Sequence, residues 1–106
     1  MITFQFTVND SFNTYSTHPI TVPKSQVDYS ELKKQTLDSG DFIITFPRGE
    51  RVRGHMYSGD AGYGHYYQIR TYPDEVIPQY LAEGDDVIII IFSHSGNKYV
   101  VLEYRE

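Results

Sequence analysis

Cysteine and tryptophan are absent from this 106-residue chain. Without cysteine there is no disulfide, no thiolate zinc site and no cysteine nucleophile, a usage that fits an intracellular, cytoplasmic protein. Long hydrophobic runs are missing too. The longest, Val87 to Phe92, is far too short to span a bilayer, so no membrane partner is expected. No basic region followed by an apolar run opens the chain, so no signal peptide is expected either. Positive charge is scarce: nine Lys and Arg stand against fourteen Asp and Glu, for a net charge of −5. That balance argues against indiscriminate nucleic-acid binding but leaves room for one basic face.

What is present is tyrosine, ten residues of it, with six phenylalanines. Tyrosine suits both pleated surfaces and binding faces, so it favours strands without choosing a function. The apolar share of 40% and charged share of 22% are those of an ordinary globular domain, and the length fits one domain over residues 1–106.

Ile2 to Val8 alternates apolar and polar, the period-two mark of a half-buried strand. Asn9-Asp10-Ser11 ends it, and Phe12 to Tyr15 reads as irregular. Ile20-Thr21-Val22 is a short strand stopped by Pro23. Ser25 offers an N-cap for a short helix over about Gln26 to Leu37, whose sparse apolar positions Val27, Leu32 and Leu37 place it on the rim of the core. Phe42 to Phe46 is a strand, and Pro47-Arg48-Gly49 suits a tight turn. Two strand-like arms, Arg51 to Tyr57 and His65 to Thr71, flank a glycine-broken loop, Ser58 to Gly64. A short helical stretch from Tyr72 is interrupted by Pro78 and closed by Gly84. Asp86 to Phe92 reads as a buried strand, and Ser95-Gly96-Asn97 turns it back into Tyr99 to Tyr104. Seven strands and two short helices with tight turns predict a mostly β, open, seven-stranded pseudobarrel.

The stretch Arg48 to Thr71 stands apart in charge. Arg48, Arg51, Arg53 and Arg70 against Glu50 and Asp60 make it +2, leaving −7 elsewhere. His55, Tyr57, Ser58, Tyr63, His65, Tyr66 and Tyr67 lie among those arginines. Arginine pairs bidentately with guanine or phosphate, a two-stranded ribbon fits the major groove, and tyrosines stack on unpaired bases. The plainer reading is a solvated hairpin whose tyrosines are half core.

Signals for catalysis are weaker. His55, His65 and Asp60 can be drawn as a metal or acid–base site, but a loop with three glycines promises no fixed convergence. No serine occurs in a G-x-S-x-G context or beside an evident base. Asp85-Asp86 follows Gly84 where carboxylates commonly bind turn amides. Gly59, Gly62 and Gly64 lack the Lys-Ser/Thr ending of a phosphate loop. No enzyme, metal or cofactor is expected from these residues.

Taken in order, several short motifs resemble the B3-type DNA-binding pseudobarrel, the family of plant B3 transcription factors and of recognition domains in certain bacterial restriction endonucleases. The carrying residues are Val22-Pro23-Lys24-Ser25, the run Gly49 to Gly59 with His65 following, Leu81-Ala82-Glu83-Gly84-Asp85-Asp86-Val87, and Leu102-Glu103-Tyr104-Arg105. The resemblance covers residues 17 to 105. It implies a double-stranded DNA reader that clasps the major groove with an early arm near His18 to Ser25 and a central arm over Arg51 to Ile69. By position it implies DNA contacts from Lys24, Arg53, His55, Tyr57, Ser58 and His65. Arg48, Arg51, Tyr63, Tyr66 and Arg70 join them on residue type. Missing tryptophans and an acidic body resemble the restriction branch more than the plant one, which implies a role in prokaryotic defence, alone or joined to a nuclease. Two other classes stay open: a small protein-interaction or inhibitor module with an aromatic docking loop, and a metal-dependent hydrolase built on His55, His65 and Asp60.

Overall fold

The computed structural model describes residues 1–34, 40–75 and 81–105. Among them run β1 (Ile2–Thr7), α1 (Asp10–Thr14), β2 (Ile20–Thr21), α2 (Tyr29–Leu32), β3 (Phe42–Thr45), β4 (Arg51–Ala61), β5 (Gly64–Thr71), β6 (Asp86–His94) and β7 (Asn97–Tyr104). The seven strands form one sheet in the order β1-β6-β7-β3-β4-β5-β2. Described pairings are antiparallel except β3 with β7, which is parallel. The fold is therefore mostly β, open and seven-stranded, with two short helices. No described helix is long and apolar enough to cross a membrane.

Alternation makes the core. Phe4, Phe42, Ile44, Val52, Ile69, Val87, Ile89, Ile91, Val100 and Leu102 project from one face of the sheet and are buried. Curvature folds that face onto Val8, Phe12, Val22, Val27 and Leu32 from the connecting segments and helices. The isoleucine run was expected to be wholly buried, yet only Ile89 and Ile91 face the core. Ile88 and Ile90 alternate outward and are half-buried, because the strand pleat allows one run both faces.

The two edges of the open sheet come close enough for one side chain to link them. Gln26, beyond β2, accepts from the Gln5 backbone amide on β1 through Oε1 at 2.8 Å, and its Nε2 donates to the Gln5 carbonyl at 3.5 Å. A carboxamide thus stands where a neighbouring strand would be, satisfying part of an exposed edge and blocking further pairing there.

Local chemistry sets the helices differently from expectation. The stretch after Asn9 is helical rather than irregular: Asn9 Oδ1 accepts from the Phe12 amide at 3.0 Å, and the turn buries Phe12. Asp28, not Ser25, caps α2, its Oδ1 accepting from the Ser30 amide at 2.9 Å and the Ser30 hydroxyl at 2.7 Å. Those bonds to the charged form hold the Asp28 carboxyl below its ordinary value. Leu32 is fully buried, so α2 plugs the core rather than skirting it. Residues 35–37 of the expected helix, and 76–80 of the expected helical stretch after Tyr72, lie outside the described residues. Around them, Tyr72 to Glu75 forms a turn, with the Glu75 amide donating to the Tyr72 carbonyl at 3.0 Å.

The Leu81-to-Asp86 segment is a structural clasp. Leu81 is buried, and Asp85 Oδ2 accepts from the Ala82 amide at 2.9 Å. The Gly84 amide donates to the Val8 carbonyl and the Val8 amide to the Asp85 carbonyl, each at 2.8 Å, which locks the end of β1 onto the start of β6. Gly84 takes φ +92°, a backbone conformation that any other residue adopts with strain.

Candidate nucleic-acid interface

The β4–β5 hairpin is longer than its sequence suggested. Strand pairing runs through the expected loop to Ala61↔Gly64, leaving only Gly62-Tyr63 as the turn. β3 leaves β4 at Gly54, and β2 leaves β5 at Gln68, apart from the Val22 amide donating to the Tyr67 carbonyl. Beyond those points the hairpin is a two-stranded ribbon, roughly 17 Å from Met56 to Ala61 at ~3.3 Å per residue. Ser58 to Ala61 escaped recognition as strand because no buried apolar residue alternates there.

The register sorts the side chains onto two faces. The outer face carries Arg53, His55, Tyr57 and Gly59 on β4 with Arg70, Gln68 and Tyr66 on β5. These stack into a ladder of rings and cations. The Arg53 guanidinium lies 4.3 Å from the Tyr72 ring centroid, and His55 lies 4.6 Å from Tyr72. Arg70 sits 3.5 Å over Tyr57, Tyr57 is 6.0 Å from Tyr66, and Tyr66 is 6.0 Å from Tyr63. Gly59 makes the floor: a Cβ there would come within 2.8 Å of Tyr66 and 2.9 Å of Tyr57. A hydrogen bond to the Tyr57 side chain raises the Tyr66 phenol above its ordinary value.

The inner face passes from core to polar toward the tip. Met56 and Ile69 still pack on the core, followed by Ser58 opposite Tyr67 and Asp60 opposite His65. Asp60 Oδ1 is 2.9 Å from His65 Nδ1, and His65 Nε2 is 3.2 Å from Ser58 Oγ. A carboxylate only accepts, so Nδ1 donates to Asp60, and in the neutral ring Nε2 is then the acceptor for the Ser58 hydroxyl. A serine does therefore lie beside a base, contrary to expectation; cross-strand pairing brings together residues seven apart. The Asp60 side chain is 84% exposed and that of His65 42%, so water screens this relay where a buried one would polarise the serine. It orients His65, whose ring also meets Tyr67 edge-on at 4.8 Å. Tyr67 in turn meets Tyr29 edge-on at 4.7 Å. Tyr29 donates to the Val22 carbonyl at 2.6 Å, and burial pushes its phenol up.

Lys24 reaches this arm from the segment after β2. Its ammonium stands 5.7 Å from the Tyr29 ring and 3.1 Å from where a Gly64 Cβ would sit. The segment after β2 thus brings a cation to the ribbon's tip.

The arginines are not where the charge count suggested. Within residues 56–67 the one fixed charge is Asp60. Arg48, in the β3–β4 turn, and Arg51 sit at the root, with Arg51 roughly 33 Å of strand from Ala61 at ~3.3 Å per residue. Arg53 is held by Asp74 at 3.4 Å and Glu75 at 3.7 Å. Arg70 is midway, with Nε and Nη2 donating to Gln68 Oε1 at 2.9 and 2.7 Å. The projecting part is aromatic, and the basic part is its base. Tyr72, Gln68 and the Asp74–Glu75 pair complete the site and were missed; an aromatic at the register position beyond the arm was the signal available for Tyr72. Tyr72 also donates to Asp41 Oδ1, a bond that raises its phenol above the ordinary value.

His55 and His65 lie on opposite faces of the hairpin, so the drawn metal site of His55, His65 and Asp60 does not converge. Among the described residues no group of three or more His, Cys, Asp or Glu could hold a metal ion. No protein-family model and no curated protein matches this chain.

Proposed function

We propose that this domain reads double-stranded DNA through the β4–β5 ribbon, in the manner of a B3-like recognition module. The observation that carries the reading is the ribbon itself: two strands freed from the sheet, of a width the major groove accepts, with a cation–aromatic ladder along one face. In this reading Tyr57, Tyr63, Tyr66, Ser58 and His65 meet bases or sugar. Asp60 adds an acceptor suited to the cytosine amino group. Lys24 at the tip and Arg48, Arg51 and Arg70 toward the root take phosphates on either side. Arg53 is restrained in this role, since meeting phosphate would mean leaving two carboxylates. The B3 resemblance extends the proposal to a prokaryotic restriction or defence protein, with the chain acting as recognition module and a nuclease cutting elsewhere.

Joint replacement of Lys24 and Arg70 by alanine is expected to weaken duplex binding at low salt by about tenfold or more. It should also flatten the dependence of log affinity on log salt by about two phosphate contacts. An unchanged slope would overturn the phosphate assignment.

The aromatic tip favours a second reading. Tyr63 is 73% exposed and residues 56–67 carry no Lys or Arg of their own, which suits docking on a protein partner. Binding that ignores salt and depends on Tyr63 and Tyr66 would select it.

A further inference from the structure

On the outer side of the sheet, between α1 and the base of the hairpin, lies a cleft of about 320 Å³. Its floor is built by Gln68 and Arg70 of β5 and Thr21 of β2. Gln68 is held at both ends: Oε1 accepts twice from Arg70, and Nε2 donates to Thr21 Oγ1 at 3.1 Å. Tyr57 covers one face of the guanidinium. Arg70 is thereby fixed on one edge and one face. Among the described residues two of its five N–H groups are used, and the remaining donors can serve a ligand. The cost of ordering a long side chain is already met in the unliganded protein.

The rest of the lining fits an anion joined to a flat ring. Ser11 and Thr17 bring hydroxyls with no side-chain partner among the described residues, and no Asp or Glu lines the cleft in a chain of net charge −5. Tyr15, 60% exposed, and Pro19 supply apolar surface against which a planar ring can pack. The volume falls in the range of small-molecule sites.

We propose that this cleft binds a nucleoside monophosphate, its phosphate on Arg70 with the Ser11 and Thr17 hydroxyls, its base against Tyr15. The ligand is either a free nucleotide or one unit of a single strand; both present the same phosphate-and-base chemistry. The site goes beyond duplex recognition and shares Arg70 and Gln68 with it.

The test is titration of the full chain, without duplex, by adenosine monophosphate, adenosine and inorganic phosphate, followed by amide NMR shifts. Adenosine monophosphate is expected to saturate residues 9–21 and 68–70, with adenosine weaker by about tenfold or more for want of the charge-assisted bonds. The Ser11→Ala/Thr17→Val variant should weaken the nucleotide severalfold while leaving thermal stability and duplex binding unchanged. A phosphorylated trinucleotide that binds more tightly than the mononucleotide assigns the site to a strand, and equal binding assigns it to the free nucleotide. Equal affinity for adenosine and its monophosphate, or no saturation at millimolar ligand, would overturn the proposal whatever duplex DNA does.

Discussion

The hairpins β6–β7 and β4–β5 are built on the same period-two pairing and are put to opposite uses. In β6–β7 each inward residue from Val87 to Ile91 and from Val100 to Leu102 is buried to within 1%. Ser95 and Gly96, at φ +51° and +80°, close it with the two left-handed residues that match strand twist. In β4–β5 the inward row starts in the same way, with Val52 and Ile69, then changes to Ser58, Asp60 and His65 as the strands outrun the core. Backbone pairing continues without interruption. Pairing alone therefore sustains a ribbon, while the inner-face residues decide whether it becomes core or display.

Four substitutions test that contrast. The largest effect belongs to the core hairpin: Ile89→Ala, at a fully buried position, is expected to lower unfolding free energy by about 2–5 kcal/mol in urea titration. A loss much smaller than that would mean β6 is not the centre of the core.

Two glycines of β4 separate root from ribbon. A Cβ at Gly54 would stand 2.4 Å from Ile44 Cδ1 and 2.9 Å from the Arg70 carbonyl oxygen, so Gly54→Ala should cost about 1–3 kcal/mol. At Gly59 the obstacles are the far ends of tyrosine rings, which can swing into solvent. Gly59→Ala is therefore expected to leave the melting temperature nearly unchanged while loosening Tyr57 and Tyr66 and weakening ligand binding. Equal destabilisation by both would erase the proposed boundary between core and display.

The smallest effect is a pH dependence at the hinge between the two regions. Burial, set against the nearby Asp41 carboxylate, lowers the His55 imidazole below its ordinary value of 6.5. The unfolded chain then takes up a proton near 6.5 that the folded chain refuses until lower pH. The His55 contribution to stability is thus intact above that value and is lost as pH falls from it toward the folded-state value. Melting temperature between pH 7 and 5 should fall more steeply in the natural protein than in His55→Gln, and parallel curves would refute this.

Much of the architecture was legible, and the reasons for the exceptions are physical. Strands that face a core on one side announce themselves through alternation, as Ile2 to Thr7 and Phe42 to Thr45 do. Ser58 to Ala61 carries no apolar alternation because neither of its faces is buried, so with Gly59, Gly62 and Gly64 the stretch 58–64 read as a loop. α1 was hidden because Asn9 both ends a strand and caps a helix, and one turn around Phe12 has no room for periodicity. For the candidate site, residue types singled out the β4–β5 hairpin but not its geometry. Charge summed along residues 48–71 grouped four arginines with the histidines and tyrosines as one basic stretch. The fold strands Arg48 and Arg51 at the root, ties Arg53 to Asp74 and Glu75, and leaves tyrosines at the front. The Ser58–His65–Asp60 relay and the Arg70–Gln68–Thr21 chain depend on cross-strand register, which linear spacing does not reveal.

The most direct measurement of the central claim is fluorescence anisotropy of the intact domain against a pool of random duplex DNA, from low to physiological salt. The account predicts binding that fades steeply with salt, is reduced by replacing Tyr57 and Tyr66 with alanine, and yields a preferred site on selection from the pool. A folded domain that binds no duplex even at low salt would contradict it, and the ribbon would then stand as a docking element for a protein partner.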